Sequence, residues 1–352
     1  MFSFRLILQI KNKLDKAKKK ILSPSFPIMY NLERTPYKLR DWIDIDKIVW
    51  AELSLNRNAI YLLEQNQDKI DWKKLSFNPN AIYLLEQNLD KINWYFLSAN
   101  PNAIHLLEQN LDKINWACLS ENPNASCLLE RNLKKRSREI RWDWLSWNPN
   151  VIKLIEQNLD KIWWNFLSMN PNAIHLLEQN PDKINWNFLS NNPKAVHLLE
   201  KNQDKINWTN LSRNLSAIHL LEQNLDKINW SWLSGNPNAI HLLEQNQDKI
   251  DWSSLSRNPN AIHLLEQNLD NVDWSWLSTN PKAIYLLERN PDKINWRWLS
   301  SNRSIFEIDY TFLNKRIEPY KEELIQRCFH PDRLIRYLET YHYDIGEDEY
   351  QD

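Results

Sequence analysis

The sequence predicts an all-α fold: an α-solenoid of about twelve two-helix units of 22 residues, with capping segments at its ends. Three observations predict it. Trp recurs at 50, 72, 94, 116, 142, 164, 186, 208, 230, 252, 274 and 296, always 22 residues apart except for one step of 26. Between these Trp the text repeats itself, most clearly in WSWLSGNPNAIHLLEQNQDKID from Trp230 to Asp251. Only two Gly, Gly235 and Gly346, occur in 352 residues, which argues against phosphate-binding loops, dinucleotide turns and hairpin-rich β folds.

Trp is taken as position one, so that Trp50 opens unit 1 and Trp296 opens unit 12. Position four is always Leu (Leu53 to Leu299), position five always Ser (Ser54 to Ser300) and position seven always Asn (Asn56 to Asn302). The Asn reads as a helix N-cap, and Pro at position eight suits the first turn, where no N–H is needed. Arg57, Leu215 and Arg303 replace the Pro while the Asn stays. Ala239, Ile240, Leu242 and Leu243 then form one apolar helical face. Asn246, at position seventeen, suits a left-handed C-cap. Asp248 suits the start of a second helix or 3₁₀ turn through Trp252 to Ser256. Pro181 and Pro291 at position eighteen mark the joint. Helices this short are marginal alone and must stack on their neighbours. At about 8–10 Å per packed helix, an open stack of twelve units would run about 100–120 Å.

Residues 1–36 read as a basic N-terminal helix and linker, with Arg5, Lys11, Lys13, Lys16, Lys18, Lys19 and Lys20 facing only Asp15. Residues 1–22 read first as a capping or frayed helix and second as a membrane-surface contact; they do not read as a signal peptide. The array proper spans 37–302, and 37–49 look like a degenerate half-unit leading into Trp50. Residues 303–352 read as a helical cap and acidic tail, with Leu324, Ile325, Phe329, Leu334, Ile335 and Leu338 available to cover the end of the stack. No apolar run approaches the ~20 residues of a membrane span. Three Cys make no disulfide framework and point to an intracellular, cytoplasmic setting.

No chemistry stands out. His105, His175, His197, His219, His241 and His263 share position twelve with Tyr61, Tyr83, Cys127, Lys153 and Tyr285. Neighbouring units are too widely spaced for a common metal, so the column reads as a partly exposed surface position. The Glu column (Glu64 to Glu288) reads as structural, pairing with Lys at position twenty or accepting from a neighbouring N–H. The Trp column reads as core. The chain is therefore expected to be no enzyme, with no catalytic residue, no cofactor and no metal.

Two surfaces invite a binding reading. Position three alternates between aromatic and polar residues, which a buried site would not accept. The candidate binding surface is Trp144, Trp147, Phe166, Phe188, Trp232, Arg257, Trp276 and Trp298. The longer fourth unit carries a candidate basic patch, Lys134, Lys135, Arg136, Arg138 and Arg141, beside Trp144 and Trp147. A basic loop near exposed Trp resembles a nucleic-acid contact. A net charge of −1 and the lack of a sustained basic stripe weigh against it. The expected function is a scaffold for protein partners; the alternative is a nucleic-acid-binding solenoid.

The run LSxNPNAIHLLEQNxDKINW resembles the repeat of uncharacterised proteins encoded by giant DNA viruses. The segment RIEPYKEELIQRCFHPDRLIRYLETYHYDIGEDEY, Arg316 to Tyr350, is similar to tails in that group. The resemblance implies a viral protein acting on host-cell partners and carries no assigned activity. More loosely, the NPN-opened helix followed by a shorter one resembles leucine-rich repeat variants, from which the 22-residue length and the repeating Trp depart.

Overall fold

The computed structural model describes residues 37–322 together with His330, Arg333 and Arg336. The expected N-terminal helix, the residues proposed to cover the end of the stack and the acidic tail lie outside the described residues. The chain divides into two compact units, Leu39–Glu307 and the flanking residues 1–38 with 308–352. In the second, a helix spans Tyr310–Ile317, capped by the Asp309 side chain, which accepts from Phe312 N–H, and a 3₁₀ turn follows at Glu318–Tyr320. Strands β1 (Tyr37–Leu39) and β2 (Phe306–Ile308) pair as a two-stranded sheet.

The body Leu39–Glu307 is a regular all-α repeat array. Each unit opens with a Trp helix of four to six residues, such as Trp230–Ser234, and continues with an Ile helix, such as Ile240–Gln245. Most units close with a 3₁₀ turn, as at Gln247–Lys249. The expected second helix beginning at Asp248 is thus two elements. Ile250 is extended, at φ −65° and ψ 127°, and breaks the chain between them. The Trp helix is capped by the residue just before Trp: Asp251 accepts from Ser254 N–H and Asn229 from Trp232 N–H. Val49, Arg141 and Trp163 occupy that place without a side-chain cap.

Two expected caps are corrected. Asn246 is not left-handed; at φ −134° and ψ 53° it turns its side chain back, and Nδ2 donates to Leu242 O at 2.9 Å. It therefore satisfies an orphan helix carbonyl through its amide rather than through its backbone. Asn at position seven does not cap the Ile helix, which starts after an Ala with no side-chain bond. Its Oδ1 instead closes the Asn-Pro-Asn turn, as Asn236 Oδ1 does by accepting from Asn238 N–H at 3.0 Å.

The remaining donors of that Asn hold the array together. Asn192 Nδ2 donates to Ser168 O at 3.0 Å and to Asn170 O at 3.1 Å, both in the preceding unit. Ser190 Oγ donates to Trp186 O and accepts from Asn207 N–H, across the joint to the next unit. These Ser and Asn are buried in every unit. Buried polar groups are tolerated only when paired, and here every copy is paired identically. Around the ladder lie fully buried Leu from positions four and fourteen, Leu189 and Leu199 in unit 7, with Ala195. The 26-residue fourth unit keeps the pattern: Asn148 Nδ2 still reaches Ser120 O and Asn122 O. Its extra residues extend the Ile helix to Ser126–Arg136, a lengthening of about one turn.

The array has no open end in this ladder, and the expected stack with two capped ends is corrected. Asn56 of unit 1 donates to Ser300 O and Asn302 O of unit 12, and Val49 N–H donates to Ser300 Oγ. These are the bonds every neighbouring pair makes, so the series of interfaces is cyclic. The twelfth unit is assembled from both ends of the body. Residues 296–306 supply its Trp helix and turn, and 40–49 supply its closing 3₁₀ turn, Ile45–Lys47. Arg40 fastens the two parts: its N–H donates to Ile305 O, its Nε to Ser304 O and its Nη1 to Glu307.

Candidate interaction surface

The Trp column is half-buried rather than core; only Trp116, at 2 % exposure, is enclosed. Each indole is instead covered by the cation at the end of its own unit. Lys69 lies over Trp50 at 4.6 Å, Lys227 over Trp208 at 4.6 Å and Lys249 over Trp230 at 4.8 Å. Arg136 takes this place over Trp116, and Lys47 closes the circle over Trp296. Such contacts contribute about 0.5–1 kcal/mol at exposed sites. The exception is Trp252, whose unit carries Asn271 in place of the cation; no described Lys or Arg covers its ring. The expected Glu–Lys pairing is therefore corrected. Glu at position fifteen meets position twelve of the next unit: His175 with Glu156, His197 with Glu178, His219 with Glu200, and likewise Tyr285 with Glu266.

Where neighbouring units come closest, it is through their Trp helices. In a cyclic array the more closely spaced layer has the smaller radius, so the Trp helices line the inner side. Leu at four and Ser at five are buried, which leaves positions two, three and six, apart from the buried Cys118, to face solvent. The structure brings some of the candidate residues together in pairs along this face. Phe166 stacks on Phe188 at 5.9 Å between centroids, and Trp276 stacks on Trp298 at 5.7 Å. Arg257 lies over Trp276 at 4.3 Å. Arg213 lies over Trp232 at 4.3 Å. Trp147, Trp232 and Trp298 remain 46 %, 45 % and 39 % exposed.

Sequence reading missed Arg213. The signal was present: a position-six Arg stands 19 residues before a position-three Trp in both Arg213–Trp232 and Arg257–Trp276. It also missed the charged break in the strip, where Glu52 accepts from Lys74 at 2.9 Å and Arg297 at 3.1 Å. Burial pushes the Glu52 carboxyl up, but these two partners outweigh it and hold the group below its usual range.

The basic patch is partly engaged within the protein. Arg136 pairs with Glu139 at 2.9 Å while covering Trp116. Arg141 lies over Trp144 at 4.7 Å and forms a two-pronged bond with Asp143. The Arg141 guanidinium holds the Asp143 carboxyl below the ordinary range. Lys134, Lys135 and Arg138 are exposed. Cys118 is buried and Cys127 exposed, both as free thiols. Among the described residues no group of three or more His, Cys, Asp and Glu is placed to hold a metal ion, and no helix is long and apolar enough to cross a membrane.

The family model of NosD, described as a periplasmic copper-binding protein, matches residues 133–297, from the end of unit 4 into unit 12. That stretch is less than half of the chain and consists of the repeats themselves. No curated protein and no solved structure matches the chain.

Proposed function

We propose that this α-solenoid, bent until its ends meet, is a non-enzymatic scaffold that binds protein partners along the strip at positions two, three and six. It works inside a cell, the host cell if the chain is viral. The observation that carries this reading is the exposure of Trp147, Trp232 and Trp298 on a framework whose ladder polar groups are all paired. Exposed aromatics recurring at positions three and six of the repeat favour an interaction surface over idle surface. Copper handling, the property in the name of the matched family, has no ligand cluster among the described residues to support it.

A pull-down from host-cell extract tests the proposal, with wild type and a Trp147→Ser/Trp232→Ser/Trp298→Ser variant as baits. Proteins retained by the wild type and lost from the folded variant are the expected result. Equal retention by both baits overturns the strip as the binding site. Mixed oligonucleotides in a salt series address the alternative. Micromolar binding at physiological salt that disappears when Lys134, Lys135, Arg136 and Arg138 are changed to Ser would replace the protein scaffold by a nucleic-acid binder.

A further inference from the structure

Two arginines on the face formed by the Trp helices are held against aromatic rings of the following unit. Arg213 of unit 8 lies over Trp232 of unit 9, and Arg257 of unit 10 lies over Trp276 of unit 11, each 4.3 Å from the ring centroid. The cations that cover the position-one Trp lie farther off, at 4.5–5.5 Å. Both arginines are exposed. Among the described residues neither guanidinium meets a carboxylate, whereas Arg297 pairs with Glu52 and Arg141 with Asp143.

Arg141 shows what a ring-backed guanidinium does in this array. It lies over Trp144 at 4.7 Å and takes Asp143 with two bonds, Nε to Oδ1 at 2.9 Å and Nη2 to Oδ2 at 2.5 Å. The N–H donors of a guanidinium lie in its plane, so a ring against its face leaves them available to an acceptor at its edge. Asp143 stands at position two, immediately before Trp144. Before Trp232 and Trp276 that position holds Ser231 and Ser275. Their hydroxyls are bonded within the array, Ser231 Oγ donating to Asp251 and Ser275 Oγ accepting from Asn295. Units 9 and 11 therefore keep the arginine on the ring and lack the acid.

We propose that Arg213 and Arg257 receive carboxylates from an acidic segment of a protein partner, each guanidinium taking one Asp or Glu side chain at its edge as Arg141 takes Asp143. A planar carboxylate matches the two-pronged fork, and such charge-assisted bonds are stronger than neutral ones. Contact with Trp232 and Trp276 orders the arginines before the partner arrives, so less side-chain freedom is lost on binding. Position six is Gly235 in unit 9 and Thr279 in unit 11, so the two charges stand as separate points rather than as a basic stripe for a phosphate backbone. The assignment of a protein partner rests on the scaffold reading; the carboxylate site itself does not.

The test measures the fluorescence anisotropy of labelled hexaglutamate with the full chain at physiological salt, with labelled hexaglutamine and hexathymidylate as further arms. The variant is Arg213→Lys/Arg257→Lys, which keeps both charges, loses both forks and leaves the buried ladder untouched. Saturable binding of hexaglutamate is expected, weaker by about tenfold in the Lys pair and by at least about tenfold for hexaglutamine. Arg257→Lys alone, the reserve should the pair not fold, should weaken it severalfold. No saturable binding, or equal binding by wild type and the Lys variants, overturns the site. Binding lost from Lys134→Ser/Lys135→Ser/Arg138→Ser and kept by the Lys pair overturns it in favour of the basic patch. Tighter binding of hexathymidylate that is lost from the Lys pair overturns the carboxylate in favour of phosphate. The same Lys pair serves as bait in host-cell extract. Host proteins captured equally by it and by wild type overturn the arginine site and leave the scaffold reading standing. Hexaglutamate binding as expected with no host protein captured by wild type supports the site and removes the scaffold reading alone.

Discussion

Asn56 donates a side-chain N–H to the carbonyl oxygen of Asn302 at 3.0 Å, across 246 residues of sequence. The same bond joins Asn78 to Asn56 at 3.1 Å and Asn302 to Asn280 at 3.1 Å. The seam of the array is thus made by the contact that makes every other interface. Nearest-neighbour coupling, which leaves an open array with two weak ends, here has no end at which to fray.

Closure places Glu52 against Arg297, at 3.1 Å between Oε1 and Nε. Glu52→Cys and Arg297→Cys, in a chain with Cys127 and Cys328 changed to Ser, should be joined within one molecule by a short bismaleimide. The product should be monomeric and should migrate anomalously on a denaturing gel. Cross-linked dimers alone would show that the ends meet only between molecules.

Asn192→Ala should destabilise the protein by about 2–3 kcal/mol, more than the roughly 1 kcal/mol of a lost cap, because it leaves buried carbonyls without their donor. Urea unfolding measures this. Leu211→Ala, at a fully buried position in the next unit, should cost about 2–5 kcal/mol. A change below 0.5 kcal/mol for Asn192→Ala would remove the ladder from the account of stability.

Asn271→Lys should return a cation to the uncovered ring of Trp252. The eleven sibling cations lie 4.5–5.5 Å from their ring centroids. A gain of about 0.5–1 kcal/mol is expected in urea unfolding. Trp252→Leu combined with Asn271→Lys should show no such gain, which separates stacking from a general charge effect.

Tyr285 should ionise well above the ordinary range of a phenol. Burial and the hydrogen bond to Glu266 push it up to about 12. Because the folded value is raised, its contribution to stability is complete below the ordinary value near 10 and is lost as pH rises through about 12. Phenolate absorbance should show one tyrosine titrating near 12, and Tyr285→Phe should remove it. An unchanged alkaline limb in Tyr285→Phe would refute the assignment.

Much of the local structure was legible in the text. Repetition within one chain separates obligatory positions from free ones, so Leu at four and Ala at ten read correctly as buried, while the variable position three ranges from the buried Cys118 to the exposed Trp232 and Trp298. The roles of polar residues read less well. Asn246 looked like a left-handed cap because Asn tolerates that backbone, whereas its amide serves the helix end equally well from a negative φ of −134°. Trp looked like core because it is large and invariant, yet a Lys nineteen residues later in the same unit shields its face. The strip was visible as composition but not as geometry: Arg257 was named for its position, while its stacking on Trp276 depends on the offset between units.

The sequence by itself determined the period, the helical units and the identity of the residues that join one unit to the next, because each of these is a local or nearest-neighbour matter repeated twelve times. Only the tertiary structure decided that the array closes. Closure depends on the rotation between neighbours, about 30° for twelve units to complete a circle, and that angle is the net result of packing Leu, Ala and Trp side chains of unequal size on the two sides of the ladder. A small error in each step, invisible in any single unit, would accumulate over twelve and carry Asn56 away from Ser300 and Asn302.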